Sequence, residues 1–150
     1  MVCYGNICRS PMAEAVFRDE IEKAGLSDKI IVDSAGTSGE HDGEPAHKGT
    51  LQVLAKHNIP YDGRSRKLTR TDFDYILVMD AANLRTVQRD FATTKAKISF
   101  FLSDAFKTGD VKVEEVDDPW YTGKYDETYA LLLPGAKALL NRIRAEYGLG

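Results

Sequence analysis

The segment C-Y-G-N-I-C-R-S, Cys3 to Ser10, constrains the fold more than any other part of the chain. It has the form cysteine, five residues, arginine and serine, and Pro11 follows it directly. Gly5 permits a tight loop and Asn6 tolerates a positive φ, so that successive backbone N–H groups can turn inward. Because Pro11 suits the first turn of a helix, with Ser10 as its N-cap, the segment predicts a loop that ends on a helix N-terminus.

The residue types in this loop predict an anion site that contains a nucleophile. Free amides and the dipole at a helix N-terminus attract negative charge, and Arg9 adds a planar fork that matches two phosphate oxygens. A thiol at Cys3 should lose its proton readily in such a positive potential. The alternative is a buried structural cysteine beside an ordinary capped helix. A Cys-to-Arg spacing alone could occur by chance, but the complete octet with Gly, Asn and Ser in place favours a functional loop. We therefore expect phosphate as the ligand and attack of Cys3 on phosphorus as the chemistry.

A second segment, V-D-D-P-W-Y-T-G at residues 116–123, supplies a candidate acid. Asp118 precedes a proline, which favours extended or turn backbone over the middle of a helix. A carboxylic acid on a loop beside Trp120 and Tyr121 can protonate a departing aryl oxygen. Alone, the segment is more often an ordinary Asp-Pro turn with packing aromatics, so its interpretation as an acid depends on the loop at Cys3.

Length and composition predict one globular domain. The chain has 150 residues, of which 43% are hydrophobic, and a formal net charge of −3, which argues against nucleic acid as its main partner. No apolar run approaches a transmembrane helix and no signal peptide is visible, so no membrane partner is expected. Two cysteines five positions apart do not form a secreted disulfide framework. We expect a cytoplasmic protein, and a monomer.

Helical and strand patterns alternate along the chain and predict a parallel sheet with helices on both faces. Helices are expected at residues 11–24, within 45–58, at 81–91 and at 126–147, with a kink or break at Pro134-Gly135 in the last one. Strands are expected at residues 30–34, 75–79 and 97–102. Ligands in such folds bind beyond the carboxyl ends of the strands.

Taken together, these segments resemble the low-molecular-weight protein tyrosine phosphatases. That family pairs an N-terminal C-x5-R-S loop with a C-terminal loop in which Asp-Pro precedes an aromatic residue and a tyrosine. The resemblance extends over essentially all 150 residues and includes P-M-A-E-A-V-F, D-S-A-G-T-S and F-D-Y-I-L-V-M-D, at residues 11–17, 33–38 and 73–80. It implies a three-layer α/β fold with a central four-stranded parallel sheet, and a phosphatase that needs no metal or other cofactor.

The resemblance also implies the substrate and the roles of the site residues. Cys3 attacks phosphotyrosine or a small aryl phosphate, Arg9 holds the phosphate or another oxyanion, and Asp118 acts first as acid and then as base. The natural partner is then a protein that contains phosphotyrosine. The residues expected to bind substrate are Tyr4, Gly5, Asn6, Ile7, Cys8, Ser10, Glu40, Trp120 and Tyr121.

Some of these residues keep two interpretations. Ser10 hydrogen-bonds the thiolate, caps the helix, or does both. Cys8 is either a small buried residue or, as the resemblance implies, a disulfide partner that protects Cys3 from irreversible oxidation. Asp80 either holds Arg9 from behind or only caps the end of a strand. The histidines show no metal-ligand spacing and are expected on the solvated surface, at His41, His47 and His57.

The chain departs from the family pattern in two places around the pocket. Residues 39–42, G-E-H-D, stand where many members have an aromatic residue on the rim. The rim should then depend on Tyr4, Trp120 and Tyr121, with negative charge from Glu40. Gly63 occupies about the position of a histidine that supports the loop in many members, so support of that kind is not expected here.

The start of the chain is a third departure. Only Met1 and Val2 precede Cys3, whereas family members have several more apolar residues, which form a central strand. We expect either that the sequence lacks its natural start or that the sheet is incomplete. In the second case, neighbouring strand edges would be unpaired and the loop poorly anchored.

Arsenate reductase and a catalytically silent phosphate-binding module are the two alternatives to a phosphatase. Related enzymes use the same loop to bind arsenate, but arsenate reductases of the thioredoxin-coupled type need further cysteines downstream, and this chain has only Cys3 and Cys8. A catalytically silent phosphate-binding module is the third possibility. The presence of Cys3, Arg9 and Asp118 together argues against it.

Overall fold

Strands and helices alternate along residues 1–150, all of which the computed structural model describes. The strands are β1 Val2–Cys3, β2 Ala35–Gly36, β3 Tyr75–Val78 and β4 Lys97–Phe100. The helices are α1 Arg9–Lys23, α2 Lys48–Lys56, α3 Ala81–Asp90, α4 Ser103–Thr108, α5 Pro119–Thr122 and α6 Tyr125–Tyr147. None of the helices combines the length and the apolar character needed to cross a membrane.

The four strands form one parallel sheet in the order β2-β1-β3-β4, which confirms the predicted architecture. The chain leaves β1 through α1 to reach β2 on one side, and β3 pairs with β1 on the other side. In open parallel sheets, the carboxyl ends of the strands at such a reversal are the usual ligand site. Cys3 is the last residue of β1, so the fold brings the predicted nucleophile to this position.

Helices cover both faces of the sheet because side chains alternate along each strand. Cys3 and Leu77 belong to the larger core, which is formed with α1 and α6. Val2, Ile76 and Val78 belong to a second core, in which they pack with Val87 of α3. Helix α3 on one face of the sheet and helices α1 and α6 on the other face make the three layers that the family resemblance implies.

The shortened first strand is confirmed, and it changes the structure around it. Residues 30–34 do not form the predicted strand: β1 pairs with Ala35 and Gly36, and the only bond that the start of the chain makes before them joins the Met1 amine to the carbonyl of Asp33 at 2.9 Å. A cavity of about 640 Å³ adjoins Met1 and is lined by residues 29–35 and by the beginning of β3. The sheet has no central gap, since β1 pairs with both β2 and β3, and the weak anchoring expected for a gap is not found either.

The predicted break in the last helix is also wrong, since α6 is continuous through Pro134. A proline inside a helix costs roughly 3 kcal/mol in isolation, but α6 packs closely on the end of β4. An ideal Cβ on Gly135 would lie 2.7 Å from Cδ2 of Leu102 and 3.0 Å from Cε2 of Phe101. Gly135 therefore permits the close approach that keeps the helix intact, rather than ending it. The short helices α4 and α5 had no periodic pattern that could predict them.

Candidate active site

Helix α1 begins at Arg9, two residues earlier than predicted. Its N-cap residue is Cys8, and no side chain caps the helix. Ser10 therefore lies within the first turn, and its Oγ is 3.1 Å from Sγ of Cys3. The predicted cap at Ser10 is wrong, whereas the alternative contact with the nucleophile is present. The uncapped helix end leaves its first N–H groups available to a ligand.

The backbone between β1 and α1 forms the expected cradle of N–H groups. Asn6 has a φ of 56°, as predicted, and its N–H points to Sγ of Cys3 at 3.3 Å. Five other backbone N–H groups of the loop donate to no acceptor within the protein; they belong to Tyr4, Gly5, Ile7, Cys8 and Arg9. Such a series of free amides at a helix N-terminus binds anions.

Hydrogen bonds from three different segments hold this loop from outside. The Cys3 carbonyl accepts from the N–H of Thr37 at 2.9 Å, and the Ile7 carbonyl accepts from the N–H of His47 at 2.8 Å. The Gly5 carbonyl accepts from Oγ of Ser65 at 2.9 Å. These bonds use the carbonyl groups of the loop and leave its N–H groups free, which suits the binding of a negative ligand.

Gly5 is required by close packing rather than by a positive φ. An ideal Cβ at this position would lie 3.0 Å from Cδ2 of His41. Gly5 thus lies in the loop as predicted, but the space for a side chain at this position is limited by His41, a contact that the sequence pattern did not reveal.

Asp80 orients the guanidinium of Arg9 from behind the loop. Nη1 of Arg9 donates to Oδ2 of Asp80 at 2.6 Å and to the carbonyl of Val116 at 2.8 Å. The other oxygen of Asp80 accepts from the N–H of Asn83 at 2.8 Å and caps α3. Asp80 therefore holds Arg9 and caps helix α3 at the same time, because each carboxylate oxygen has its own partner; it is not only a cap at the end of a strand.

The remaining donors of Arg9 are available to a ligand. The Arg9 side chain is buried, and its Nε has no hydrogen-bond partner. Nη2 lies 3.5 Å from Oδ2 of Asp118. Burial disfavours the charged form, but the negative charges of Cys3, Asp80 and Asp118 outweigh it and raise the pKa of Arg9. Arg9 is thus a permanent cation with a free N–H in an enclosed position.

Asp118 occupies the extended conformation that the following proline predicts, with φ −80° and ψ 112°. It is the N-cap of α5, and its Oδ1 accepts from the N–H of Trp120 at 3.1 Å. Its Oδ2 is the atom close to Nη2 of Arg9. The structure therefore brings the candidate acid and the phosphate loop together, although more than 100 residues separate them in the sequence.

Aromatic and acidic side chains surround this loop at the surface. The Tyr4 hydroxyl donates to Oε1 of Glu40 at 2.8 Å, and this bond raises the pKa of Tyr4. The Trp120 ring lies 5.9 Å from the His41 ring and 5.5 Å from the His47 ring, centroid to centroid. The predicted rim residue Glu40 is thus beside Tyr4.

Comparison with known proteins gives this geometry its context. Residues 1–148 match the sequence model of the family described as low molecular weight phosphotyrosine protein phosphatase. The chain belongs to this family. The low molecular weight protein-tyrosine-phosphatase YfkJ of Bacillus subtilis is 42% identical over 149 residues, which cover 97% of this chain and 94% of YfkJ. The protein of the same description named PtpA in Staphylococcus aureus is 38% identical over 144 residues, or 95% and 90% of the two chains.

Solved structures agree with the sequence comparisons. The crystal structure of YfkJ superposes with a TM-score of 0.90 at 41% identity and covers 97% of this chain and 92% of that one. A structure described as a Drosophila arginine phosphatase gives a TM-score of 0.87 at 29% identity, with 95% of each chain covered. The fold expected from the family resemblance is therefore confirmed.

Two of the three histidines of this family member do not lie where the sequence suggested. His41 and His47 are only half-exposed and flank Trp120, and the His47 ring also stacks on Tyr125 at 5.1 Å. Nδ1 of His47 accepts from the N–H of Gly49 and caps α2. Burial lowers the pKa of His47, with a smaller contribution from the charge of Lys48, and this favours the neutral ring whose Nδ1 can accept from Gly49. No spacing in the sequence links these histidines to the acid loop; only the fold does.

Cys8 is buried, as one of its two interpretations predicts. Both cysteines are free, and Sγ of Cys8 lies 3.4 Å from the Tyr125 hydroxyl. Burial raises the pKa of Cys8 to about 12, so this side chain is a neutral thiol at physiological pH. The disulfide with Cys3 that the resemblance implies stays a prediction.

Three polar residues behind the loop were not recognised in the sequence. Glu14, Ser34 and Tyr61 are hydrogen-bonded to one another and, through Ser34, to Asn6. Glu14 is buried among the apolar residues of α1, and a charge in that position was an available signal. Gly63 provides no supporting side chain, as predicted, but Tyr61 occupies the space beside it.

Proposed function

We propose that this protein hydrolyses phosphotyrosine in proteins, and small aryl phosphates, through a cysteinyl-phosphate intermediate. The observation that carries the proposal is a set of unused donors around one thiol. Arg9 Nε and five amides of the loop donate to no acceptor within the protein, and the loop begins at Cys3, whose Sγ accepts from the N–H of Asn6. Membership of the phosphatase family and the similarity to YfkJ and PtpA support the same conclusion.

In the first step, the loop amides and Arg9 hold the phosphate dianion. The Cys3 thiolate attacks phosphorus in line with the tyrosyl oxygen, so that an S–P bond forms while the P–O bond to the ring breaks. Asp118 in its protonated form gives its proton to the departing phenolate oxygen. The products of this step are free tyrosine hydroxyl and the cysteinyl-phosphate.

In the second step, water replaces the leaving group. Asp118, now a carboxylate, takes a proton from the attacking water, the new P–O bond forms and the S–P bond breaks. Inorganic phosphate and the Cys3 thiolate are released, and Asp118 is again protonated for the next turnover. Cys3 and Asp118 therefore both return to their starting protonation states, while the phosphate ester and water have become the free hydroxyl and inorganic phosphate.

Charge placement supplies most of the rate in phosphoryl transfer, because the transition state is rich in negative oxygen. Asp80 fixes Nη1 of Arg9, which leaves Nε and Nη2 for the equatorial oxygens. The guanidinium is thus oriented before the substrate arrives, and no reorganisation is needed at the moment of reaction.

The rim supports an aromatic substrate. Tyr4 and Trp120 are about half-exposed and Tyr121 is more exposed still, and all three neighbour the loop or belong to the segment of Asp118. A phosphotyrosine ring is long enough to reach a buried thiolate and to contact these rings on the way. The phosphate of phosphoserine, on a shorter side chain, would stay outside.

The deciding experiment compares four substrates with the same enzyme preparation: p-nitrophenyl phosphate, a phosphotyrosine peptide, a phosphoserine peptide and arsenate with a thiol reductant. A phosphoarginine peptide is added because one similar structure is described as an arginine phosphatase. We expect turnover of the two aryl phosphates and a phosphorus adduct on Cys3 detected by rapid-quench mass spectrometry. Reduction of arsenate without aryl-phosphate hydrolysis would overturn the proposal, and so would phosphate binding without any turnover.

Two further statements belong to the same proposal. The enzyme is proposed to be a cytoplasmic monomer whose partner is a phosphoprotein, and the net charge of −3 supports a protein partner over a nucleic acid. Light scattering after size-exclusion chromatography tests the monomer, and a dimer that persists upon dilution would contradict it.

A further inference from the structure

A chain of buried polar side chains connects the back of the loop to the nucleophile. Asn6 Nδ2 donates to Oγ of Ser10 at 2.8 Å and to Oγ of Ser34 at 3.0 Å. Oγ of Ser34 donates to Oε1 of Glu14 at 2.5 Å, and Oγ of Ser10 is 3.1 Å from Sγ of Cys3. Glu14, Ser34, Asn6 and Ser10 are all buried, so water does not compete for these bonds.

The direction of each hydrogen bond in this chain follows from the carboxylate at one end. An ionised Glu14 only accepts, so Ser34 must give it its single proton and must therefore accept from Asn6. Asn6 has two amide protons, and the second one goes to Ser10. The orientation of the Asn6 amide is fixed because its Oδ1 accepts from the N–H of Arg66 at 3.0 Å. The single proton of Ser10 then has two acceptors in reach, Sγ of Cys3 at 3.1 Å and the carbonyl oxygen of Ala35 at 3.5 Å. The shorter contact favours the sulfur, where the proton stabilises a thiolate.

Tyr61 is the second donor to the same carboxylate oxygen. Its hydroxyl lies 2.9 Å from Oε1 of Glu14. Burial and the Glu14 charge raise the pKa of Tyr61, so its hydroxyl keeps its proton and continues to donate. Arg18 pairs with the other oxygen of Glu14, and the Met1 amine also interacts electrostatically with this carboxylate. Both carboxylate oxygens of Glu14 therefore face hydrogen-bond donors or a cation, as expected for the accepting end of the chain.

Gly63 makes room for this use of Tyr61. An ideal Cβ on Gly63 would lie 2.6 Å from Cζ of Tyr61, far inside van der Waals contact. Gly63 is not among the glycines with positive φ, so an alanine there would be opposed by Tyr61 and not by the backbone. A side chain at position 63 and the present position of Tyr61 therefore exclude each other.

We propose that Tyr61 is a positioning residue for the nucleophile, which acts through the chain Glu14, Ser34, Asn6 and Ser10 and depends on glycine at position 63. The proposal rests on the role proposed for Cys3: Tyr61 holds the Glu14 carboxylate, and this carboxylate sets the direction of the hydrogen bonds that reach the sulfur. Tyr61 itself touches neither substrate nor thiol. Its effect should appear in the reactivity of Cys3, and not only in the stability of the fold.

The test measures the rate at which iodoacetate carboxymethylates Cys3 as a function of pH, with mass spectrometry to separate it from Cys8. Tyr61→Phe keeps the ring and removes only the hydroxyl. We expect the acidic limb of the profile to move to higher pH, with carboxymethylation on that limb about three- to tenfold slower, the range that a single hydrogen bond supplies. The acidic limb of kcat/KM for p-nitrophenyl phosphate should move in the same direction. Gly63→Ala should act in the same way by displacing Tyr61.

The matched control is Tyr75→Phe. The Tyr75 hydroxyl also donates to a carboxylate, Oε2 of Glu146, at 2.5 Å, but at a distance from the loop along the sequence and in the fold. This variant should lower the melting temperature at most and leave the pH profile of Cys3 unchanged. A Tyr61→Phe profile identical to that of the wild type would overturn the proposal, even if Tyr61→Phe melted earlier, because the role would then be purely structural.

A double-mutant cycle tests the chain itself. Ser34→Ala interrupts the path between Glu14 and Asn6, so Tyr61→Phe should have little further effect in that background. Additive effects would mean that Tyr61 acts by another route, and the proposed chain would be wrong. Carboxymethylation needs no turnover, so a failure of the proposed phosphatase activity would be seen separately as an absence of hydrolysis with a normal Cys3 profile.

Discussion

The phosphate loop and the rim of the pocket are constructed in opposite ways. In the loop, Asn6 and Arg9 are each 2% exposed and Ser10 is fully buried, and each makes two or more hydrogen bonds. On the rim, Trp120 and Tyr121 are 52% and 83% exposed. The loop must hold charges in place before the reaction, since preorganisation is what makes such groups effective. The rim only has to receive different peptides, and exposed side chains with few contacts can adapt to them.

This contrast predicts how substitutions should behave. Changes in the loop should affect the chemical step for every substrate. Changes on the rim should be small, should depend on the peptide and should weaken as salt rises, because exposed charges are screened.

The largest effect is expected at the centre of the loop. Cys3→Ser should reduce hydrolysis of p-nitrophenyl phosphate to background, because a hydroxyl is a far weaker nucleophile than a thiolate. Binding of inorganic phosphate, followed as an increase in melting temperature, should be largely retained, since the donors are unchanged. Near-normal turnover by this variant would remove Cys3 from the mechanism.

Asp118 lies at the boundary of the two regions and should show a large effect that depends on the leaving group. Asp118→Asn should slow aryl phosphates with poor leaving groups by about 10²–10⁴-fold, and those with good leaving groups much less. The neighbouring exposed carboxylate provides the control, and Asp117→Asn should change the rates little. Equal losses in the two variants would contradict the assignment of Asp118 as the acid.

The loop itself contains two cysteines in different environments, which alkylation can distinguish. With its pKa raised to about 12, Cys8 carries much less thiolate at neutral pH than an unperturbed cysteine. Iodoacetate should therefore label Cys8 roughly 10³-fold more slowly than an ordinary cysteine does, and the labelling should increase only as the pH rises towards that value. Peptide mapping after a time course at neutral pH measures this, and rapid labelling of Cys8 in the folded enzyme would contradict a raised pKa at this thiol.

The smallest effect is expected on the rim. Glu40→Gln should reduce the preference for phosphotyrosine peptides with basic neighbours by about 1.5- to 5-fold in kcat/KM, the size of an exposed ion pair. The preference should also decrease with salt in the wild type. Glu22→Gln, an exposed glutamate in the last turns of α1, is the control of equal charge change. A charge preference that neither Glu40→Gln nor salt alters would exclude the rim as its source, while leaving the loop chemistry untouched.

Local sequence patterns determined much of the secondary structure of this protein and the conformation of the segments around its candidate site. The octet from Cys3 to Ser10 predicted a loop that ends on a helix. The apolar run at β3 and the periodic helices α2 and α3 have the positions that their patterns predict. These signals are reliable because the residues that create them are close in sequence: a turn, a helix start or a strand is encoded by its own neighbours. Asp118 was found in the same way, from the proline that follows it.

Only the tertiary structure decided the contacts between distant segments. Residues 30–34 lack a strand because their partner is too short, and α6 continues through Pro134 because it packs on Leu102. Ser10 turns to Cys3 instead of capping its helix, His47 reaches Trp120, and Tyr61 reaches Glu14 across 47 positions. Each of these outcomes depends on which side chain fills a particular space, and packing of that kind is set by the whole fold and has no period or spacing in the sequence.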